Sequence, residues 1–202
     1  MTIINKKSSR EDVIAAVSVD GLDLRLANKE YQDDKEVVKI AVGQKGYALQ
    51  WASDRLKNDK EVVEIAVGQW GWSLQYASER LKDDKEIVKI AVGECGYALE
   101  YASERLRNNK EVVKMAVRQH FWALEYASER LKDNEGIVKI AVRQNGGALQ
   151  FASDRLKDNK EIVKIAIGQD KDAIRWASEK LQNDQKFITL ITQKTKNYEK
   201  NK

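Results

Sequence analysis

Residues 95–106 read CGYALEYASERL, and residues 120–131 read HFWALEYASERL. The last nine letters of the two stretches are identical, whereas the first three letters share nothing. The two stretches begin 25 residues apart. The nine constant positions are those that the fold requires, and the three variable positions are those that the fold leaves free.

The same spacing runs through most of the chain. One aromatic column recurs every 25 residues without a slip, at Trp51, Tyr76, Tyr101, Tyr126, Phe151 and Trp176. Leu26 takes this place in the first copy, and a partial eighth copy begins near Asn183. Seven units without insertion or deletion indicate a repeat protein, because each unit of such a protein packs only against its neighbours.

Each unit is predicted to begin with a helix. One column holds only residues that cap helix N-termini well: Ser8, Asp33, Asn58, Asp83, Asn108, Asp133, Asp158 and Asn183. Glu follows three residues later in six of these places, at Glu11, Glu36, Glu61, Glu86, Glu111 and Glu161, which is the spacing of a capping box. We expect this helix to bury Val37 and Ala41 and to end near Gly43.

A second helix is predicted over residues 47–56, YALQWASDRL, with Leu49, Ala52 and Leu56 on one side. Helices of about ten residues are marginal alone in water, so their stability must come from stacking on neighbouring units. The predicted fold is therefore all-α, a solenoid of tandem 25-residue helix–turn–helix repeats that forms one domain over residues 11–192.

The two ends of the chain carry most of the net charge of +4. Residues 1–10 and residues 193–202 each sum to +3, which leaves residues 11–192 at −2. We expect both ends to be basic, solvated tails. The near-neutral body lacks the broad positive field that phosphate binding needs.

The sequence also favours a cytoplasmic location. Residues 1–12 contain no apolar run long enough for a secretory signal, and no segment is apolar enough to span a membrane. Cys95 is the single cysteine, and a chain without an internal disulfide suits a reducing compartment.

The repeat resembles a known family. Residues 145–167, NGGALQFASDRLKDNKEIVKIAI, and their sister units are similar to the short helical repeat called domain of unknown function 4116. The resemblance covers residues 11 to about 190 and is weakest in the first and seventh units. It implies a stack of short helices. Such repeats occur in multi-repeat proteins of intracellular bacteria, secreted effectors among them, so the resemblance also hints at a host-directed interaction protein.

Two columns between the predicted helices vary from unit to unit, and we call them the variable rim. The first column holds an acid, a base, an aromatic ring, a thiol, an imidazole and an amide: Asp20, Lys45, Trp70, Cys95, His120, Asn145 and Asp170. The second lies two residues later and is rich in aromatic residues: Leu22, Tyr47, Trp72, Tyr97, Trp122, Gly147 and Asp172. Packing accepts no such mixture, so we expect the first column to reach solvent along one edge.

Two interpretations of the rim aromatics remain open. Tyr47 lies four residues before Trp51, so the two rings share a helical face and could extend the core between units. Alternatively, the aromatics and Phe121 form a surface that contacts a ligand, since Gly147 and Asp172 would not be tolerated in a required core position.

No arrangement of residues predicts catalysis or metal binding. Cys95 and His120 occupy equivalent places in adjacent units, which is too far for a direct contact, and no third group orients them. The adjacent acids Asp33 and Asp34 are explained by capping. The column that begins at Arg55 has an acid beside each arginine, which indicates salt bridges between units.

The sequence thus predicts a monomeric, non-enzymatic interaction scaffold without cofactor or metal. Its partner is expected to be a protein or peptide bound through the rim, because Trp and Tyr dominate binding hot spots. The candidate contact residues are Lys45, Tyr47, Trp70, Trp72, Cys95, Tyr97, His120, Phe121, Trp122, Asn145 and Asp170. The alternative is single-stranded nucleic-acid binding by base stacking, which the near-neutral body disfavours.

Overall fold

The computed structural model describes residues 4–189, and every 25-residue coil in it has three sides. We number the coils 1 to 7, so that coil 1 is residues 10–34 and coil 7 is residues 160–184. The first side is a long α-helix: Arg10–Val19, Lys35–Gln44, Lys60–Gln69, Lys85–Glu94, Lys110–Gln119, Glu135–Gln144 and Lys160–Gln169. The second is a 3-10 helix: Gly21–Leu26, Gly46–Trp51, Gly71–Tyr76, Gly96–Tyr101, Phe121–Tyr126, Gly146–Phe151 and Lys171–Trp176. The third is one α-turn: Lys29–Gln32, Asp54–Lys57, Glu79–Lys82, Glu104–Arg107, Glu129–Lys132, Asp154–Lys157 and Glu179–Gln182. A helix in the position of an eighth long helix begins at residue 185.

The all-α solenoid of tandem repeats is confirmed, but the single second helix predicted over residues 47–56 is wrong. The 3-10 helix ends at Trp51, and Ala52 and Ser53 have extended backbones. The Ser53 side chain then accepts a hydrogen bond from the Leu56 backbone N–H and caps a new α-turn. Ser favours such capping over a helix interior, so the Ala-Ser step divides the predicted helix in two.

The predicted N-cap of the long helix is one residue too early. Asp34 caps the helix, because its side chain accepts from the backbone N–H groups of Glu36 and Val37. Asp33 instead ends the preceding α-turn. The capping box forms at Ser9 and Asp12, whereas Glu36 pairs with Arg10 of the preceding coil at 2.5 Å. The helix also runs one residue past Gly43, to Gln44.

The core lies inside the three sides and continues from coil to coil. In coil 2 the long helix buries Val37, Val38, Ala41 and Val42, and the other two sides bury residues such as Leu49. The equivalent positions in coils 3 to 6 are buried in the same way. A fully buried aliphatic side chain contributes about 1.5–3 kcal/mol, so this repeated column is the main stabilising feature of the stack.

Glycine sets the spacing between the 3-10 helix of one coil and the long helix of the next. A Cβ atom placed on Gly46 would lie 2.2 Å from the Ala66 carbonyl oxygen, and one on Gly71 would lie 2.3 Å from the Ala91 oxygen. No real Cβ tolerates such distances, so the close approach requires a residue without a side chain. Only glycine lets the two backbones touch here.

The third side carries a ladder of hydrogen bonds between coils, which we call the Ser–Arg ladder. The Ser103 backbone N–H donates to the Lys82 carbonyl at 2.9 Å, and the Ser103 hydroxyl donates to the Asp83 carboxylate. Arg105 Nε also donates to Asp83, at 3.0 Å. The same backbone bond recurs in coils 2 to 7, and Asn58 and Asn108 take the acceptor place in alternate coils. Arg105 therefore pairs with the preceding coil and not with the neighbouring Glu104.

A second set of contacts joins the long helices. Lys35 Nζ lies 2.7 Å from Asp59, the N-cap of the next long helix, and Lys60 Nζ lies 2.8 Å from Asp84, the N-cap of the helix after that. Lys89 reaches Glu111 at 3.2 Å in the same manner. These pairs are partly exposed and each contributes little alone, but they repeat along the stack.

The boundary between coils 5 and 6 lacks several of these contacts, and we call it the seam. In coils 1 to 4 and 6, the 3-10 helix begins with the glycine that touches the next coil, but in coil 5 it begins with Phe121. The backbones of coils 5 and 6 therefore cannot make the close contact that Gly71 makes with coil 4. Lys110 and Lys114 face Asn134 and Gly136 in place of acids, and neither lysine forms an ion pair within residues 4–189. The Gln144 side-chain amide crosses the seam and donates to the Val117 carbonyl at 2.7 Å.

The structure describes part of the predicted N-terminal tail. Ile4 was assigned to the basic tail over residues 1–10, yet its side chain is buried against the core at 3% exposure. Arg10 belongs to the first long helix and pairs with Asp34 at 2.7 Å. The described part of this segment therefore packs on coil 1. The predicted tail over residues 193–202 lies outside the described residues.

No helix among the described residues is both long enough and apolar enough to cross a membrane.

Replacing Gly136 by Glu should strengthen the seam. The new carboxylate can pair with Lys114 as Glu111 pairs with Lys89, and the helix loses a glycine, so we expect the free energy of unfolding to rise by about 1 kcal/mol. Urea denaturation measures the change. Gly136→Ala separates the effect of helix propensity from that of the ion pair. A Gly136→Glu protein no more stable than the parent would contradict the interpretation that missing contacts weaken the seam.

The Ser–Arg ladder should make stability depend on pH. Hydrogen bonds from Ser103 and then Arg105 hold the pKa of Asp83 below its usual value. Its stabilising effect is therefore complete above the unfolded-state pKa of about 4 and is lost as the pH falls through the folded-state pKa. Asp83→Asn, which copies Asn58 and Asn108, should reduce the loss of stability between neutral and acidic pH in urea titrations. An unchanged pH dependence would show that protonation of Asp83 does not weaken the Ser–Arg ladder.

Candidate functional site

The variable rim lies at the turn between the long helix and the 3-10 helix. Its first column occupies the single residue between them, where the backbone is extended, with φ of −144° at Lys45 and −157° at Trp70. Lys45, Trp70 and Asn145 are exposed, whereas Cys95, His120 and Asp170 are half-buried. The expectation that this whole column reaches solvent holds only in part.

Several polar members of the first column have a local role. The Asp20 carboxylate accepts from the Leu22 backbone N–H at 3.0 Å, and Asn145 and Asp170 make the same bond to Gly147 and Asp172. The Leu22 N–H, more than Lys45, holds the pKa of Asp20 below its usual value. These side chains cap the 3-10 helix, so turn formation explains their identity.

The second column packs across coil boundaries. Tyr47, Trp72 and Tyr97 are half-buried, and the Tyr47 ring contacts Tyr76 of the next coil edge to face, with centroids 5.2 Å apart. Trp122 is exposed at 37%. The two interpretations of these aromatics therefore do not exclude each other, because most rings support the stack and still present an edge to solvent.

The first aromatic cluster surrounds Trp70. Tyr47 contacts Trp51 of its own coil and Trp70 of the next, with centroids 6.0 and 5.2 Å apart. Trp70 remains 42% exposed. A shallow cavity of about 250 Å³ lies beside it and is lined by Gln44, Lys45, Gly46, Tyr47, Gln69 and Trp70.

The second aromatic cluster runs through coils 3 to 6. The Trp72 ring contacts Tyr97 at 5.9 Å, and Tyr97 packs on His120 at 4.3 Å. The rings of His120, Phe121, Trp122 and Phe151 continue the chain of contacts. Seven rings, with Tyr101 against Trp72, thus form one continuous aromatic surface.

His120 holds the middle of this cluster. Its Nδ1 accepts from the Trp122 backbone N–H at 3.4 Å, and its Nε2 lies 3.3 Å from the Tyr97 hydroxyl. These bonds use both ring nitrogens, so the imidazole positions the aromatic side chains around it. No hydrogen bond joins His120 to Cys95 in the part of the chain that the structure describes.

Three carboxylates lie in the two coils that hold most of the second cluster, and sequence reasoning missed them. Glu94, Glu100 and Glu125 are exposed. Burial raises the pKa of the Tyr126 hydroxyl, and Glu100 and Glu125 raise it further. Burial likewise raises the pKa of Tyr97, with smaller contributions from Cys95 and Glu125. Glu100 and Glu125 are thus the carboxylates that act on the tyrosine hydroxyls.

The chemistry available at the rim is recognition by aromatic faces and carboxylates. Among residues 4–189, no group of three His, Cys, Asp or Glu side chains is placed to hold a metal ion. Tyr and Trp rings supply large apolar contact area, and the carboxylates accept hydrogen bonds.

Comparison with known proteins places the repeats in a family. The family Domain of unknown function (DUF4116) matches residues 9–57, 34–82, 59–107, 84–132 and 134–182. The matched windows advance in steps of one coil through coils 1 to 5 and then pass over the window that would be centred on the seam. No curated protein and no solved structure matches the chain. Since the windows together span most of the 202 residues, the chain belongs to the family Domain of unknown function (DUF4116).

Proposed function

We propose that the protein is a non-enzymatic interaction scaffold that binds an extended peptide segment of a partner protein along the variable rim. The observation that carries this proposal is the exposure of two tryptophans of the rim, Trp70 and Trp122, at 42% and 37%. Tryptophan is costly to leave in water and is enriched in binding hot spots.

The dimensions of the rim suit an extended peptide. Trp70 lies in coil 3 and Trp122 in coil 5, so at the usual helix spacing of about 8–10 Å they stand roughly 20 Å apart. An extended chain covers that length with about six residues, at roughly 3.3 Å per residue. Alternate side chains of such a peptide can contact successive coils.

The stack supplies a rigid platform for this contact. The rim residues sit between a long helix that is anchored by buried valines and a 3-10 helix that touches the next coil. Rim side chains such as Tyr97 are also held by rings of the next coil. A partner therefore orders few side chains on binding, which reduces the entropic cost of association.

Single-stranded nucleic acid is the less favoured partner. Stacking on Trp70 or Trp122 is chemically suitable for bases, but Glu94, Glu100 and Glu125 would face the phosphate backbone.

We further propose that the chain acts as a monomer in the cytoplasm of the cell in which it works, in the manner of an effector.

A selection of linear peptides on the intact chain tests the proposal. We expect enriched peptides to bind a Trp70→Ala, Trp122→Ala double variant at least about tenfold more weakly by fluorescence anisotropy, because two hot-spot rings are lost. Both rings are half-exposed, so the double variant should keep its helical circular dichroism.

Trp176→Ala provides the matched control, because this half-buried ring lies in coil 7, away from both clusters. It should leave peptide affinity within about twofold of the parent, well below a hot-spot effect. Failure to enrich any peptide, or equal affinity for the parent and the double variant, would refute binding through the rim.

A further inference from the structure

We infer that the partner segment is cationic, a peptide rich in arginine or lysine whose side chains lie on the second aromatic cluster between Glu94, Glu100 and Glu125. This inference rests on the proposed function and names the chemistry of its partner. It is carried by the distribution of charge along the rim, by the ion pairs that these carboxylates do not make, and by the faces of the rings beside them.

Charge is not spread evenly along the rim. We define the rim segment of a coil as the seven residues that begin with the last residue of its long helix. The rim segments of coils 4 and 5, residues 94–100 and 119–125, together contain three Glu and no Lys or Arg. The rim segments of coils 3 and 6, residues 69–75 and 144–150, contain no charged residue. Negative charge is thus concentrated in the two coils that hold most of the second cluster.

Glu94, Glu100 and Glu125 differ from most other acids of the coils in having no cation beside them. Along the long helices, carboxylates such as Glu61 and Glu111 each contact two lysines. The ladder acid Asp83 pairs with Arg105 at 3.0 Å. Within residues 4–189, the three rim carboxylates form no ion pair.

The rim segment of coil 2 carries one cation, and this cation already has an acidic partner. Lys45, in coil 2, lies 3.2 Å from Asp20. Arg118 precedes His120 by two residues and is the equivalent in coil 5 of Gly43 in coil 2. A Cβ at Gly43 would face Ile65 on the next long helix, away from the rim. Neither side chain belongs to the rim segments of coils 4 and 5.

The aromatic rings provide the second element of cation recognition. Cations are attracted to the faces of Trp and Tyr, and guanidinium groups also stack on them. Trp122 is exposed at 37%, whereas Tyr97 is half-buried between the rings of Trp72 and His120, so Trp122 is the more accessible ring. Trp122 and Glu125, like Tyr97 and Glu100, lie three residues apart in one 3-10 helix, where side chains at this spacing share a side, so a carboxylate stands beside each ring. A cation that rests on a ring can therefore also pair with a carboxylate.

Three peptides that differ only in charge test this inference: alternating Arg-Gly, Glu-Gly and Gln-Gly sequences of about ten residues, enough to span three coils. We expect the Arg-Gly peptide to bind the intact chain at least about tenfold more tightly than the Gln-Gly peptide at neutral pH. The Glu-Gly peptide should bind more weakly than both. Fluorescence anisotropy measures the three dissociation constants.

Variants then separate local recognition from overall charge. Glu100→Gln, Glu125→Gln should weaken the Arg-Gly peptide at least about tenfold, as loss of hydrogen bonds to charged groups does. The matched control Glu79→Gln, Glu129→Gln removes the same charge from side chains that are 89% and 87% exposed on the third side of the stack. It should change affinity by less than about twofold, as expected for a distant, screened charge.

The outcomes distinguish the two proposals. Equal loss in both carboxylate variants, or tighter binding of the Gln-Gly or Glu-Gly peptide, would overturn the cationic partner. If such a non-cationic peptide still depended on Trp70 and Trp122, binding through the rim would stand while this inference fell. If no peptide of any charge depended on the rim, both proposals would fail.

Discussion

The contact between the first glycine of a 3-10 helix and an alanine carbonyl of the next coil determines how the coils stack at every boundary except the seam. At Gly46 and Gly71 the approach is so close that a single methyl group would collide with backbone. This contact fixes the distance between the 3-10 helix and the following long helix. The Ser–Arg ladder on the third side then fixes the remaining edge, because the Ser103 backbone N–H must reach the Lys82 carbonyl at 2.9 Å. Together, these contacts hold successive coils in register.

The properties of the rim follow from that spacing. Because most coils are held close together by the glycine contact, a ring in one coil meets a ring in the next, and contacts such as Trp72 with Tyr97 build a continuous aromatic surface. The seam at Phe121 alters the spacing within this surface, and there an aromatic side chain replaces the glycine contact. The most varied residues of the chain therefore lie on its most regular framework, which is typical of a recognition surface on a solenoid.

The repeat, the all-α class and the position of the rim could be predicted from the sequence, because each depends on a column that one can read in a single chain. The internal details could not. Two adjacent residues, Asp33 and Asp34, are both good caps, and only the contact of Asp33 with Ser53 and Arg55 of the next coil decides between them. The break in the second helix was hidden because Ser53 is compatible with either a helix or a cap. Glu100 and Glu125 were missed because their column reads as polar surface until the fold brings it beside the rings.

The stability of two alanine variants tests the spacing most directly. Gly68 lies near the end of a long helix, where a new Cβ would find its nearest neighbour 3.9 Å away, so Gly68→Ala should stabilise the chain by up to about 1 kcal/mol. A Cβ on Gly71 would lie 2.3 Å from the Ala91 carbonyl, so Gly71→Ala should lower the free energy of unfolding by about 1–3 kcal/mol. Urea denaturation of both variants beside the parent measures the difference. A Gly71→Ala protein as stable as the Gly68→Ala protein would contradict the account.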